Sequence, residues 1–163
     1  MKPIKLELMG LNSYTDRQTV DFEKLTSRGL FGIFGNTGSG KSTLINLVPR
    51  FYDVTEGQVL IDGINVKEYS QEFLNNKIGY VPQKAVLFNG TVKSNISYGE
   101  SKQEITDKKI KEAIKVAQAE EFVLKMDDSY DSHISQGGTN ISGGQKQRLS
   151  IARAIAKDPE IYI

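Results

Sequence analysis

A short glycine-rich loop constrains the fold of this chain more than any other feature of its sequence. It follows an apolar run at residues 30–34 and precedes the helix-like sequence LINLVPRFYD at residues 44–53. The loop consists of Gly35, Asn36, Thr37, Gly38, Ser39, Gly40, Lys41, Ser42 and Thr43. Because a short continuous apolar run is typical of a strand buried on both faces of a parallel sheet, this segment predicts an α/β fold.

The loop fits the pattern G-x-x-x-x-G-K-[ST], which is typical of phosphate binding. Its glycines let successive backbone N–H groups point at a phosphate, and the N-terminus of the following helix adds partial positive charge. Lys41 then supplies a full charge for the outer phosphates, and the hydroxyl of Ser42 is suited to Mg²⁺. We therefore predict a phosphate site at residues 35–43, with Ser42 as a metal ligand.

A second glycine turn, ISGGQ, begins the last predicted helix, which runs from about residue 143 to residue 157. Ser142 is suited to the N-cap position, and Gln145, three residues later, completes a capping box. The capping box does not account for Gly143 and Gly144. Two glycines at a helix start allow close approach to backbone N–H groups, so we predict a second anion site here.

Composition narrows the class of protein. The 163 residues are 38% hydrophobic and 25% charged, which is enough for one globular domain with a core. Lys and Arg total 21 against 20 Asp and Glu, so no whole-chain charge would attract nucleic acid or an anionic membrane. There are no cysteines, which excludes a disulfide framework. Without a long apolar run or a signal peptide, we expect a soluble, cytoplasmic chain.

Hydrophobic periodicity predicts the other elements. Strands are predicted at residues 4–8, 19–22, 58–61 and 78–81. The first two predict a hairpin or small antiparallel sheet, and Asp62 with Gly63 predicts a turn after the third. Apolar residues at i, i+3, i+4 and i+7 predict a single helix over residues 107–123, with Thr106 as its N-cap.

The two glycine turns, Gln83 in YVPQKAVLF, and the sequence QKQRLSIARAIAKDP resemble the ATP-binding cassette (ABC) family in their order and spacing. In this resemblance residues 35–43 are the Walker A loop, Gln83 belongs to the Q-loop, and ISGGQ is the signature turn. The family resemblance implies a P-loop NTPase fold of ABC type. Such a fold has an N-terminal antiparallel sheet, a parallel core sheet, and a helical subdomain that carries the signature turn.

The resemblance also implies cofactors and partners. ATP and Mg²⁺ are the implied cofactors, and Gln83 is implied to contact Mg²⁺ and to sense a transmembrane transporter domain. Ser142, Gly143, Gly144 and Gln145 are implied to close over the ATP of a second nucleotide-binding domain in a head-to-tail dimer.

Two parts of the chain resemble different branches of the family. From residue 36 onward, RFYDVTEGQVLIDGINV and VLFNGTVKSNISYG resemble the nucleotide-binding domain of an exporter-type transporter for drugs or lipids. Residues 1–35 resemble the N-terminus of SbcC, the ATPase subunit of a bacterial DNA-repair nuclease complex. We interpret residues 1–163 as one chimeric ABC-type domain whose two parts meet inside the Walker A loop.

The resemblance further implies that catalytic groups lie beyond the last residue. Residues 160–163 correspond to the strand that leads to the Walker B aspartate, so this aspartate, the catalytic carboxylate and the switch histidine would follow Ile163. Because phosphoryl transfer needs groups that position water and neutralise charge, we expect an incomplete domain that binds ATP but hydrolyses it poorly.

Four other residues need an interpretation. Tyr14 is the nearest match to the adenine-stacking aromatic of exporter cassettes, although a tyrosine in a polar connection is more often a surface or packing residue. His133 precedes the signature turn, whereas the family's switch histidine follows it, so we expect His133 on the surface. Arg148 and Arg153 are expected to serve packing and local pairing rather than catalysis.

Together these observations predict the ATP-binding domain of an ABC exporter. The domain would lie in the cytoplasm, at the membrane face when a transmembrane partner binds it. Two alternatives remain open. One is an SbcC-like DNA-repair ATPase head, which would have nucleic acid as a partner, although no long heptad pattern follows the Walker A loop. The other is a fragment without function.

Overall fold

The computed structural model describes residues 5–9, 16, 18–21, 45–99 and 104–163. These residues form two compact units, one ending at Lys77 and the other beginning at Ile78. The predicted strand at residues 30–34, Tyr14 and all nine residues of the Walker A loop lie outside the described residues. The roles given to them therefore stay predictions.

The first unit contains a four-stranded antiparallel sheet. Its strands are β1 (Lys5–Met9), β2 (Gln18–Asp21), β3 (Gln58–Ile61) and β4 (Ile64–Asn65). The strand order is β2-β1-β3-β4, which confirms the predicted small antiparallel sheet. Asp62 and Gly63 join β3 to β4 with φ of 52° and 82°, the left-handed geometry that a two-residue hairpin turn requires.

A helix precedes β3 in the first unit. Residues 45–47 are helical, and Arg50 follows with a left-handed φ of 57°. The N–H of Arg50 bonds to the carbonyl of Leu47 (3.2 Å), and that of Phe51 bonds to the carbonyl of Asn46 (3.1 Å). This pair of bonds is a Schellman motif, which satisfies the last carbonyls of a helix. Helix α1 (Gln71–Lys77) is tied to the same turn, since the Gln71 carboxamide donates to the Pro49 carbonyl at 2.9 Å.

The second unit is mainly helical. Its elements are β5 (Ile78–Gly79), β6 (Gly90–Thr91), α2 (Val92–Ile96), α3 (Asp107–Val116), α4 (Glu120–Leu124), β7 (His133–Ile134), α5 (Gly143–Ala156) and β8 (Ile161–Tyr162). Strand β5 pairs with β8 in parallel, and β6 pairs with β7 antiparallel. The N–H of Val81 also bonds to the carbonyl of Ile163 at 2.7 Å, so the pairing continues along the strand predicted at residues 78–81.

The core of this unit lies where α5 packs against α2 and α3. Its buried side chains include Leu87, Val92, Ile96, Ile110, Ile114, Val123, Ile134, Leu149 and Ala152. On α3 the buried positions Ile110, Ala113 and Ile114 follow the helical spacing seen in the sequence, and Thr106 caps the helix as predicted. Helix α5 confirms the predicted last helix.

The prediction of one helix over residues 107–123 is wrong. The chain leaves the helix at Gln118, whose φ is 55°, and a separate helix, α4, begins at Glu120. The N–H of Gln118 bonds to the carbonyl of Lys115 (3.0 Å), and that of Ala119 bonds to the carbonyl of Ile114 (2.9 Å). This is another Schellman motif, and burial of both Ala119 and Ile114 supplies its hydrophobic contact.

Within the described residues, no helix has the length and apolar character needed to cross a membrane.

Candidate functional site

The signature turn is held open at the start of α5 by its capping box. The backbone N–H of Gln145 donates to the Ser142 hydroxyl at 3.2 Å, and the Gln145 carboxamide accepts from the Ser142 N–H at 2.8 Å. Gly143 and Gly144 are exposed, and a Cβ built on either one would meet nothing within 4 Å. The N–H groups of both glycines lie in the first helical turn, outside the capping box, where a helix has spare donors. The predicted anion site thus has donors, positive helix-end charge and room.

Asn140 fixes the loop that leads into the signature turn. Its carboxamide accepts from the Ser135 N–H at 3.0 Å and donates to the His133 carbonyl at 2.8 Å. The N–H of Ile141 then bonds to the carbonyl of Gly138 at 3.1 Å. These bonds leave the loop few ways to move independently of β7. The sequence signal for Asn140 is an asparagine between two glycine pairs, at residues 137–138 and 143–144, but its hydrogen-bond partners depend on the folded loop.

This loop is also joined to the segment that follows Gln83. The N–H of Gly137 donates to the Leu87 carbonyl (3.0 Å), and the Gln136 carboxamide accepts from the N–H of Asn89 (3.1 Å). His133 lies on the same surface, with its Nε2 2.8 Å from Asn89 Oδ1. His133 is exposed, as predicted.

Gln83 is exposed and lies in the loop between β5 and β6. Its side chain is accessible to a ligand, and a carboxamide oxygen is a ligand that Mg²⁺ accepts. The structure thus presents Gln83 and the signature turn as exposed polar groups of one compact unit. Their part in nucleotide binding stays a proposal.

Asn95 is a buried polar residue that the sequence analysis missed. Its side chain is 2% exposed, and its carboxamide bonds to the Phe88 N–H (2.8 Å), the Phe88 carbonyl (2.9 Å) and the Thr91 carbonyl (3.0 Å). A buried carboxamide satisfied in this way holds the backbone turn around it. The sequence signal that could have revealed Asn95 is a polar residue on a short helix that also carries the core-facing residues Val92 and Ile96.

The two arginines of α5 pack against aromatic rings, as expected. Arg148 lies over the Phe122 ring, with its guanidinium carbon 5.3 Å from the ring centroid. Arg153 lies over the rings of Phe88 (5.2 Å) and Tyr98 (5.7 Å), and these two rings stack with centroids 4.1 Å apart. Burial lowers the pKa of Arg153 from its ordinary value. Among the residues that the structure describes, no cluster of His, Cys, Asp or Glu could hold a metal ion.

Comparison with known proteins identifies the family. A protein-family model described as "ABC transporter" matches residues 20–163. The chain belongs to the ABC transporter family. It is 52% identical over 132 residues to an ABC transporter ATP-binding protein of Mycobacterium bovis, covering 80% of the chain and 22% of the relative. It is 50% identical over 129 residues to a putative multidrug export ATP-binding/permease protein of Staphylococcus aureus, covering 79% of the chain and 22% of the relative.

A solved structure agrees with this assignment of the ABC fold. The structure of a bacterial Atm1-family ABC exporter with ATP bound superposes with a TM-score of 0.84 at 32% identity, covering 99% of this chain and 28% of that one. The ABC-type α/β fold predicted from the sequence is therefore confirmed. The chain spans about a fifth of the length of the curated relatives it matches.

The same comparisons bear on the predicted alternatives. The relatives and the solved structure are transporter proteins, and they give the SbcC-like alternative no support. The family match begins at residue 20 and so crosses the boundary placed at residues 35 and 36. The chimeric origin of the chain stays a prediction.

Proposed function

We propose that this ABC chain is the ATP-binding domain of an exporter, which couples ATP binding and hydrolysis to transport through a transmembrane domain. The observation that carries the proposal is the signature turn, where a capping box leaves Gly143 and Gly144 exposed at the positive end of a 14-residue helix. An exposed glycine pair at a helix start fits an anion that approaches from outside the chain. The exporter assignment is supported by the similarity to proteins named for multidrug export.

The proposed division of roles follows the chemistry of each group. The Walker A loop, residues 35–43, holds the phosphates of ATP, with Lys41 on the outer phosphates and Ser42 on Mg²⁺. Gln83 supplies a carboxamide oxygen to Mg²⁺. Mg²⁺ would supply charge neutralisation on the phosphates when bound. These residues would bind and orient the nucleotide, and the domain would lie at the cytoplasmic face of the membrane.

The signature turn is proposed to act on a second nucleotide-binding domain in a head-to-tail dimer. Gly143 and Gly144 are both exposed, and a Cβ built on either one would meet nothing within 4 Å. Ser142 and Gln145 keep these donors in place through their reciprocal hydrogen bonds. The partner's γ-phosphate is the anion that would meet them.

Nucleotide binding is tested by titrating the chain with a fluorescent ATP analogue and Mg²⁺. Replacement of Lys41 by Ala should abolish saturable binding, because the outer phosphates lose the cation of the loop. Lys115→Ala is the matched control, since Lys115 is an exposed lysine on α3 and its loss removes the same charge. Equal affinity in the Lys41→Ala and Lys115→Ala variants would contradict the Walker A assignment.

The signature role is tested by sedimentation with a slowly hydrolysed ATP analogue. Gly143→Phe should leave nucleotide binding by one chain unchanged and prevent ATP-dependent dimerisation, because the new side chain fills the space left for the partner's phosphate. Lys115→Phe adds the same bulk on another surface and should dimerise like the unmodified chain. If Gly143→Phe dimerises equally well, the signature turn does not meet a partner.

A further inference from the structure

We propose that Arg153 is a positioning residue, which fixes the segment carrying Gln83 to the helix that carries the signature turn. The functional meaning of this link rests on the proposed function, because that proposal places Gln83 and the signature turn on nucleotide. The link itself is visible in the hydrogen bonds of the chain without any ligand.

The guanidinium of Arg153 makes a fork of hydrogen bonds to Val86, which precedes α2, and to Asn95, which lies on α2. Nη1 donates to the Val86 carbonyl at 2.9 Å, and Nε donates to the Asn95 carbonyl at 2.7 Å. Nη2 donates to Asn95 Oδ1 at 3.1 Å. Val86 is three residues after Gln83 and ends the segment of residues 82–86, which we call the Gln83 loop, so Arg153 holds the end of this loop to α5.

A second residue of α5 holds the beginning of the same loop. The carboxamide of Gln147 donates to the carbonyl of Pro82, the residue before Gln83, at 3.4 Å. Gln147 and Arg153 are six residues apart on α5, so one helix contacts the Gln83 loop at both of its ends. The longer bond of Gln147 makes it the weaker of the two tethers.

The chemistry of this contact favours a positioning role over a purely stabilising one. Arg153 is partly buried, and its hydrogen bonds go to carbonyl and carboxamide oxygens. Burying a cation against neutral dipoles gives up hydration, and an apolar side chain of similar volume would pack without that loss. What the guanidinium adds is a planar arrangement of donors that fixes several backbone groups at once. The rings of Phe88 and Tyr98 cover its face and hold the plane in place.

Arg153 connects the Gln83 loop to the signature turn through α5. Arg153 is ten residues from Gly143, or roughly 15 Å along a helix. Because α5 is a continuous helix between them, a displacement of the Gln83 loop is carried to the signature turn without passing through a flexible connection. Arg153 itself touches neither of the proposed nucleotide contacts.

The chain has no cysteine, so two introduced cysteines can be labelled selectively. Spin labels at Lys84→Cys and Thr139→Cys report the distance between the Gln83 loop and the exposed loop before the signature turn, and they leave Gln83 in place. In the nucleotide-free chain, Arg153→Lys should at least double the width of the distance distribution, because a lysine keeps the charge but cannot reproduce the fork. Arg148→Lys makes the same exchange at the other arginine of α5 and should leave the width unchanged.

A second label pair separates positioning from general loosening. Labels at Lys115→Cys and Thr139→Cys avoid the Gln83 loop, and Arg153→Lys should leave their distance distribution unchanged. Broadening of both pairs, or of neither, would overturn the proposal. If Arg153→Lys does not fold, Gln147→Met tests the weaker tether. A smaller widening of the distance distribution for the 84 and 139 label pair alone supports the proposal, and an unchanged width overturns it.

The nucleotide-free measurement keeps this proposal distinct from the proposed function. If the chain binds nucleotide as proposed, Mg-ATP should shift the distance between the labels at positions 84 and 139. Absence of that shift, together with a widened distribution in Arg153→Lys, would refute the proposed function and leave the tether established. An unchanged width in Arg153→Lys refutes the tether whatever nucleotide does.

Discussion

Replacing Gly79 by Ala should destabilise the second unit, although the new side chain is a single methyl group. Gly79 lies on β5, where it pairs in parallel with Tyr162 of β8. A Cβ at this position would be 2.5 Å from Pro159 Cγ, and 3.4 Å from both the Ala154 carbonyl oxygen and Tyr162 Cδ1. The nearest atom belongs to a buried proline ring, which cannot rotate away.

The size of the effect follows from this distance. Carbon atoms pack favourably at about 3.5–4.0 Å, so Pro159 and Gly79 would have to separate by about 1 Å. Overpacking of this kind typically costs about 1–3 kcal/mol. The loss of backbone entropy in the unfolded chain works in the other direction by about 0.4–1 kcal/mol. We expect a net decrease in the free energy of unfolding of about 1–2 kcal/mol.

Urea unfolding followed by circular dichroism measures this change. With a slope of about 2 kcal/mol per molar urea, the midpoint should fall by about 0.5–1 M. Gly143→Ala is the matched control for stability, because the same methyl group is added where nothing lies within 4 Å. Its midpoint should stay the same or rise slightly, since alanine favours helix over glycine.

Two results would refute the reasoning. One is a midpoint for Gly79→Ala that equals the midpoint for Gly143→Ala. The other comes from a double-mutant cycle with Pro159→Ala, which removes the ring atom that the methyl group meets. The cost of Gly79→Ala should fall by about 1 kcal/mol in that background, and an unchanged cost would show that the ring is not the obstacle.

Three further changes test local features of the fold. Ser142→Ala should lower the free energy of unfolding by about 1 kcal/mol in thermal or urea unfolding, because α5 loses its N-cap, whereas Ser142→Asp should keep most of the stability. Gln118→Val should cost about 1–2 kcal/mol in the same assay, because a β-branched residue is strained at a φ of 55°, and Gln118→Gly should show no such loss. Glu121 accepts a hydrogen bond from Lys125 at 2.6 Å, which lowers the pKa of Glu121 below its ordinary value. The contribution of this pair is therefore present at neutral pH and is lost as the pH falls through the lowered pKa. An NMR titration should place the Glu121 midpoint below that of an ordinary glutamate, and Lys125→Gln should raise it; an unchanged midpoint would contradict the role of the pair.

Features that depend on neighbouring residues could be predicted from the sequence. The capping box of Ser142 and Gln145 spans three positions, and the structure shows both of its hydrogen bonds. The end of α5 could be predicted for a similar reason, since Pro159 cannot continue a helix and Asp158 takes a left-handed φ of 51° before it. The hairpin at Asp62 and Gly63 likewise carries its own turn signal.

Features that depend on partners far along the chain could not be predicted. The helix break at Gln118 lacks the glycine that normally marks a Schellman motif, so the apolar spacing appeared continuous. Burial of Ala119 and Ile114 in the core stabilises this break, and sequence spacing does not record it. The hydrogen bonds of Arg153 could not be predicted either, because their acceptors lie 58 and 67 residues away in the sequence.

The parallel pairing of β5 with β8 has a consequence for the order in which the chain folds. Ile78 and Ile161 are neighbours in this ladder, yet roughly 80 residues separate them in sequence, and closing a loop of that length early would be entropically unfavourable. The helices between them contact residues that are closer in the sequence, so they can pack first. Their packing then shortens the loop that must close for the two strands to pair. During refolding, the helical cluster should therefore form before β5 and β8 pair.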